Sequence, residues 1–190
     1  GDPRAGEEAH RMTSAVAFPR RRTAAVWPPL ALAAGLICGL AAAPADAACT
    51  DPPIPQVDYR DCTFDRSQIR NADLTGAQLR DSSFIRADLS GSNLSEADAY
   101  GAKFNSATLI DAVFDGANLY QADFSRADLT GASFVDADLR FVEFYNASLQ
   151  NADLTDAQLG SADLTGANLS GATWTNGSYV CREGSIGRCN

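Results

Sequence analysis

An unbroken repeat of five residues constrains this chain more than any other feature. From Cys62 to Asn176 the sequence divides into 23 consecutive pentads without an insertion. The third residue of every pentad is apolar: 13 are Leu, seven are Phe, and the others are Ile69, Ala99 and Trp174. The first residue is Ala in 18 of the pentads. A strand repeats every second residue and a helix about every 3.6, so neither explains a period of five.

The pattern predicts that each pentad is a short extended segment followed by a corner. Residue three is always apolar and residue one is apolar in all but three pentads, whereas the other three residues are mostly polar or Gly; residues one and three are expected to face inward. Repeated corners close the chain into a coil, and stacked coils pair through backbone hydrogen bonds. The sequence therefore predicts a β-solenoid with a filled interior.

Over about 115 of its 190 residues the chain resembles the pentapeptide repeat family, whose motif is A-(D/N)-L-x-x. The resemblance implies an all-β fold, a right-handed quadrilateral parallel β-helix of about six coils with four pentads in each. The sequence supports a four-sided coil independently, because Phe recurs at intervals of 20 residues. This core ladder comprises Phe64, Phe84, Phe104, Phe124 and Phe144.

The residues before the repeat are typical of an export signal. Arg20, Arg21 and Arg22 precede the apolar run 30–43, and Ala45-Asp46-Ala47 matches a cleavage site. An apolar run of 14 residues is short for a membrane span, which needs about 20. We expect a periplasmic or secreted protein without stable membrane insertion after cleavage. The predicted segments are an upstream segment or expression scar at 1–11, a signal peptide at 12–47, a lead-in and cap at 48–61, the β-helix at 62–176 and a C-terminal cap at 177–190.

Four cysteines would remain after cleavage, and an even number fits an oxidising compartment. On the four-sided coil, the two ends of the rod lie about 28 Å apart, whereas a disulfide needs Cα atoms within about 7 Å. We therefore expect Cys49 to pair with Cys62 and Cys181 to pair with Cys189, each closing a cap. The tail also resembles the disulfide-closed end of exported family members.

Composition argues against an enzyme and against a nucleic-acid partner. The one histidine, His10, precedes the predicted mature chain, so imidazole-dependent triads and His-ligated metals are excluded from it. The formal net charge of −9 disfavours binding to a phosphate backbone. Carboxylates at Asp123, Glu143 and Asp163 share a column, but acidic residues recur on every side of the coil as part of the repeat motif. We predict no cofactor and no metal site, and leave open whether such a strip binds calcium.

The candidate binding surface is a column of arginine and tyrosine residues. Arg80, Tyr100, Tyr120 and Arg140 recur at intervals of 20, with Phe141 beside them. Tyr and Arg are favoured at binding hot spots, although such residues also stack along ordinary β surfaces. A neighbouring column contains Arg66, Arg86 and Arg126.

The sequence favours an exported, non-enzymatic protein-binding or structural module with an unknown protein partner. The resemblance offers an alternative, because some family members mimic duplex DNA and bind DNA gyrase in the cytosol. An enzyme active on envelope polysaccharides is the third reading. An end-to-end homodimer also stays open, and Trp174 and Tyr179 near one end would favour it.

Overall fold

The computed structural model describes residues 48–190, so the predicted segments 1–11 and 12–47 lie outside the described residues. A short 3-10 helix, Ala48–Thr50, precedes the coils. From there the chain forms a right-handed quadrilateral parallel β-helix. No helix within residues 48–190 has the length and apolarity that a membrane span requires.

Parallel pairing joins residues that are 20 positions apart, from Asp58↔Gln78 to Asp153↔Thr173. Each coil therefore consists of four pentads, and each pentad contributes one bridge residue from its second position. We number the four faces of the rod in chain order. Face 1 starts at Asp58, face 2 at Thr63, face 3 at Gln68 and face 4 at Asp73.

Each corner is a tight turn that redirects the chain from one face of the coil to the next. In the first Gly-containing corner, the Leu74 carbonyl accepts a hydrogen bond from the Ala77 N–H at 3.0 Å. Gly76 between them has φ +66°, as a type II turn requires at its third residue. The fifth pentad position is left-handed from Asp61 to Gly171, and Asn71 adopts this conformation at φ +52°.

The interior is packed with aromatic rings. Consecutive rings of the Phe ladder stack with centroids 4.8–5.5 Å apart. Phe114 and Phe134 form a second stack, 5.1 Å apart, and meet the ladder edge to face. The ladder residues Phe84, Phe104, Phe124 and Phe144 are fully buried, while Phe64 at the N-terminal end is partly exposed. Polar groups inside are satisfied: the Ser82 hydroxyl donates to the Leu79 carbonyl.

At the N-terminal end, the coil begins before the predicted boundary at Cys62. Asp58 already pairs with Gln78, and the adjacent Tyr59 is buried as a pentad centre. The Tyr59 hydroxyl donates to the Asp51 carbonyl at 2.6 Å, which fastens the lead-in to the core. Residues 57–61 therefore form a further pentad of the rod. Cys49 is bonded to Cys62, with Cα atoms 5.5 Å apart.

The C-terminal cap folds back over the last coil in antiparallel pairing. Thr173 pairs with Val180 and Asn168 pairs with Ile186. Cys181 is bonded to Cys189, with Cα atoms 4.9 Å apart, and is itself buried. The cap thus covers the ends of faces 3 and 4.

Candidate functional site

The four residues Arg80, Tyr100, Tyr120 and Arg140 form one continuous stack, which we call the Arg–Tyr ladder. Each occupies the fourth pentad position at the end of face 1, in four successive coils. The two tyrosine rings are almost parallel, 5.5 Å apart with an interplanar angle of 4°. The period of 20 residues places them directly above one another, because every coil has the same length.

An arginine covers each end of the tyrosine pair. The Arg80 guanidinium carbon lies 4.9 Å from the centroid of the Tyr100 ring. The Arg140 guanidinium carbon lies 5.4 Å from that of Tyr120. Such cation–π contacts contribute about 0.5–1 kcal/mol at exposed sites. The ladder is therefore a mutually supported array rather than four independent side chains.

Carboxylates of face 1 hold the arginines in this position. Asp138 accepts hydrogen bonds from Nε and Nη2 of Arg140 at 2.8 and 2.6 Å. These bonds hold the pKa of the Asp138 carboxyl below its usual range. Arg80 forms a looser ion pair with Asp98, at 3.6 Å. The two ends of the ladder thus differ in how firmly the guanidinium is fixed.

The centre of the ladder borders a shallow depression of about 260 Å³. Its lining comprises Tyr100, Asn118, Tyr120, Asp138 and Arg140. The Tyr100 hydroxyl donates to Oε1 of Gln121 at 2.7 Å, which orients the ring. Small-molecule sites in proteins usually enclose about 300–1,000 Å³. The depression is thus small for a ligand pocket.

Phe141 extends the ladder at the corner between faces 1 and 2. Its ring centroid lies 5.2 Å from that of Tyr120, and 48% of the residue is exposed. Its backbone is left-handed, at φ +60°, a conformation that costs an L-residue about 1–2 kcal/mol. The fifth residue of nearly every pentad is left-handed, so the backbone does not distinguish Phe141. Its distinguishing feature is an exposed aromatic ring that contacts the ladder.

The acidic columns show no arrangement for an ion. Within residues 48–190, no group of three or more His, Cys, Asp or Glu side chains is placed to hold a metal. Asp123 accepts a hydrogen bond from the Ser125 N–H, and Asp163 from the Thr165 N–H. These carboxylates therefore cap corners of the coil.

Sequence reasoning identified the ladder but missed its supports. Asp138, Asn118 and Gln121 were not singled out, although they line the depression or orient its rings. The signal was available in the spacing. The second and fourth residues of a pentad lie on the same face, so an Asp two positions before an Arg predicts an ion pair. Asp58 and Arg60 show the same pairing, at 2.6 Å.

Comparison with known proteins agrees with this architecture. The family model described as "Pentapeptide repeats (8 copies)" matches overlapping segments that together run from residue 62 to residue 171, more than half of the chain. No curated protein sequence matches significantly.

Several solved structures are similar. HetL, a pentapeptide repeat protein involved in heterocyst differentiation regulation from the cyanobacterium Nostoc sp. strain PCC 7120, is 32% identical over 65% of this chain and 70% of HetL, with a TM-score of 0.41. Rfr23 from the cyanobacterium Cyanothece 51142 is 27% identical over 62% of this chain and 64% of Rfr23, with a TM-score of 0.39. A pentapeptide repeat protein from the thylakoid lumen of Arabidopsis thaliana is 28% identical over 57% of this chain and 69% of its own, with a TM-score of 0.26. The repeat sequence, the coil of four pentads and the match to the family model together establish that the chain belongs to the pentapeptide repeat family.

Proposed function

We propose that the chain is an exported, non-enzymatic binding module that captures a protein partner with the Arg–Tyr ladder and Phe141. The observation that carries this proposal is the continuous stack from Arg80 to Arg140, with an exposed phenylalanine beside it. Tyr and Arg are among the residues that dominate binding energy at protein interfaces.

The ladder is preorganised, which favours binding. Ordering a rotamer-rich side chain at an interface costs about 0.5–1.5 kcal/mol. In the ladder this cost is already met within the free protein, because Arg140 is fixed by Asp138 and the tyrosines are fixed by one another. The guanidinium of Arg140 retains N–H groups that can donate to a partner. A flat, rigid surface of this kind suits a protein better than a small molecule.

Export is supported by the signal pattern at 12–47 and by the two disulfides. Disulfides persist in oxidising compartments and are rare in the cytosol. The intact mass of protein recovered from envelope fractions tests this part. We expect a chain that starts at Ala48 and gains four hydrogens on reduction of Cys49–Cys62 and Cys181–Cys189. An uncleaved, reduced chain in the cytosol would contradict it.

The experiment for the ladder compares two matched double variants in pull-downs from envelope extracts. Tyr120→Ala with Arg140→Ala removes the middle and one end of the ladder. Tyr179→Ala with Arg182→Ala removes one Tyr and one Arg, both exposed, from the C-terminal cap. Hot-spot truncations cost about 2 kcal/mol or more each, so the ladder variant should lose a partner that wild type and the cap variant retain. Equal capture by all three proteins, at unchanged melting temperatures, would refute the assignment.

A gyrase-binding DNA mimic is the second candidate, and the net charge of −9 on a rod favours it. A supercoiling assay separates the two functions. The proposed export module should leave gyrase activity unchanged when the purified protein is added, whereas a mimic would alter it.

A further inference from the structure

The basic residues of the coils fall into two groups. Within residues 48–190, four arginines of the coils have a carboxylate partner. These are Arg60, Arg70, Arg80 and Arg140. The other four cations of the coils form neither a salt bridge nor a side-chain hydrogen bond with any described residue. These are Arg66, Arg86, Lys103 and Arg126, and all four are exposed.

The four unpaired cations lie on face 2 and the corner that follows it. Face 2 also carries Asp123, Glu143 and Asp163, in the same column as Lys103, so the positive charge is concentrated at the corner, in the arginines. We call the four cations the cationic face. Lys103 is a bridge residue of face 2. Arg66, Arg86 and Arg126 occupy the corner position in the same column, and at about 4.8 Å per coil they form a line about 14 Å long. They border a groove of about 460 Å³ that Ile85 also lines.

The corner arginines hold this position at a cost. Their φ angles are +60°, +60° and +61°, in the left-handed region that Gly adopts most readily. Gly occupies the same corner position elsewhere, for example at Gly76. The fifth residue of nearly every pentad has a similar φ angle, so this geometry belongs to the fold; what sets the arginines apart is that they have no carboxylate partner among the described residues.

Two carboxylates lie near the cations, and one of them, Asp65, lines the same groove; both accept hydrogen bonds from the coil. Asp65 accepts hydrogen bonds from the Ser83 hydroxyl and the Ile85 N–H, at 2.6 and 3.0 Å. Asp123 accepts from the Ser125 N–H at 2.8 Å. The diagonally opposite corner, which follows face 4, is acidic instead, with Glu96, Asp136 and Asp156 in one column. Charge is therefore separated across the rod.

We propose that the cationic face binds an extended acidic segment of a polypeptide. Guanidinium groups bind carboxylates through paired, charge-assisted hydrogen bonds. Alternate side chains of an extended peptide lie about 6.8 Å apart on one side, so about four residues span the line of arginines. A thin peptide contacts this face alone, whereas a duplex or a large polyanion meets the surrounding negative charge of the chain. The proposal concerns residues outside the Arg–Tyr ladder and stands independently of it.

The test measures binding of a fluorescein-labelled oligoglutamate peptide of about eight residues by fluorescence anisotropy at low salt. Arg66→Gln with Arg86→Gln removes two cations from the face. Arg182→Gln with Arg188→Gln removes two exposed cations from the C-terminal cap and is the matched control. Gln suits the corner, because Gln121 adopts φ +60° at the equivalent position. Lys103→Gln, on the face itself, provides a variant that leaves the corners unchanged.

We expect about tenfold weaker binding for the corner variant, a smaller loss for Lys103→Gln, and wild-type affinity for the cap control. Added salt should weaken binding to wild type, because exposed ion pairs are screened. Equal losses in the corner and cap variants would show a nonspecific charge effect and overturn the proposal. Undetectable peptide binding at low salt, or tighter binding of a heparin oligosaccharide than of the peptide, would also overturn it.

Discussion

Replacing Phe124 by Ala tests the core argument most directly. The side chain is fully buried in the Phe ladder. Its ring lies 4.8 and 5.5 Å from the stacked rings of Phe104 and Phe144. Two further rings, Phe114 and Phe134, meet it edge to face at 5.7 and 6.1 Å. Four aromatic neighbours among the described residues surround one side chain, so truncation leaves a cavity in the middle of the rod.

The expected loss follows from this packing. Truncation of a buried Phe to Ala costs about 3–5 kcal/mol, depending on how far the site collapses. Collapse is limited here because each coil is tied to the coils above and below by backbone hydrogen bonds, including those on both sides of Phe124. We therefore expect about 4 kcal/mol of lost unfolding free energy, equivalent to about 10–15 °C in melting temperature.

Two comparisons separate the cavity from other effects. Phe64 belongs to the same column but is partly exposed at the N-terminal end, so Phe64→Ala should cost about 2 kcal/mol. Phe124→Leu keeps most of the volume, and Leu164 already occupies this column, so we expect a loss below about 1.5 kcal/mol. Urea denaturation followed by circular dichroism measures all three variants.

The order of the three losses decides the result. A Phe124→Ala protein that is no less stable than Phe64→Ala would show that the central stack does not determine stability. Equal losses for the Ala and Leu variants at position 124 would show that the cavity is not the cause. Either outcome would refute the reasoning from packing.

Three further perturbations probe the core, a cap and an ion pair. Leu129→Asp places an unpaired charge among fully buried residues, and we expect the purified variant to have lost the cooperative thermal transition of wild type. Cys181→Ser with Cys189→Ser opens a link between residues 8 positions apart, which should lower the unfolding free energy by about 2–3 kcal/mol and speed amide exchange in the cap by mass spectrometry. Arg70 holds the pKa of the Asp88 carboxyl below its usual range; the stabilisation is therefore present at neutral pH and is lost as pH falls below about 3.9. Asp88→Asn should accordingly be less stable than wild type at pH 7, and the difference should shrink as pH falls below about 3.9, by urea titration at each pH.

The period of five and the recurrence at 20 were sufficient to predict the coil and its core. Burial in this fold is local, because the first and third residues of each pentad point inward whatever the neighbouring coils contain. Phe104, Phe124 and Leu129 therefore lie where the pattern places them. The ends were harder to predict, since repetition stops there. Pairing of Thr173 with Val180 in the cap depends on a reversal that no repeat encodes.

The positions of the surface side chains were predictable, but which of them form ion pairs was not. The spacing places Tyr100 above Tyr120 because all coils have equal length. Whether an exposed arginine forms an ion pair depends on whether a carboxylate lies in the neighbouring column of side chains. Arg140 has Asp138 two positions earlier and pairs with it, whereas Arg126 follows a Ser and has no carboxylate partner among the described residues. The ladder and the arginine column beside it could be identified from sequence, and the spacing also indicates the Asp138 support, but which arginines stay unpaired is seen only in the structure.

The four faces share one backbone, so partner choice depends on the side chains of each face. The net charge of −9 governs what the protein attracts or repels at a distance. Screening limits that field to about 8 Å at physiological salt, and within this range a ligand senses a single face. A ligand at the corner after face 2 meets Arg66, Arg86 and Arg126, while one at the opposite corner meets Glu96 and Asp136. The proposed acidic peptide would therefore be selected by the charge of one corner, although the chain as a whole is acidic.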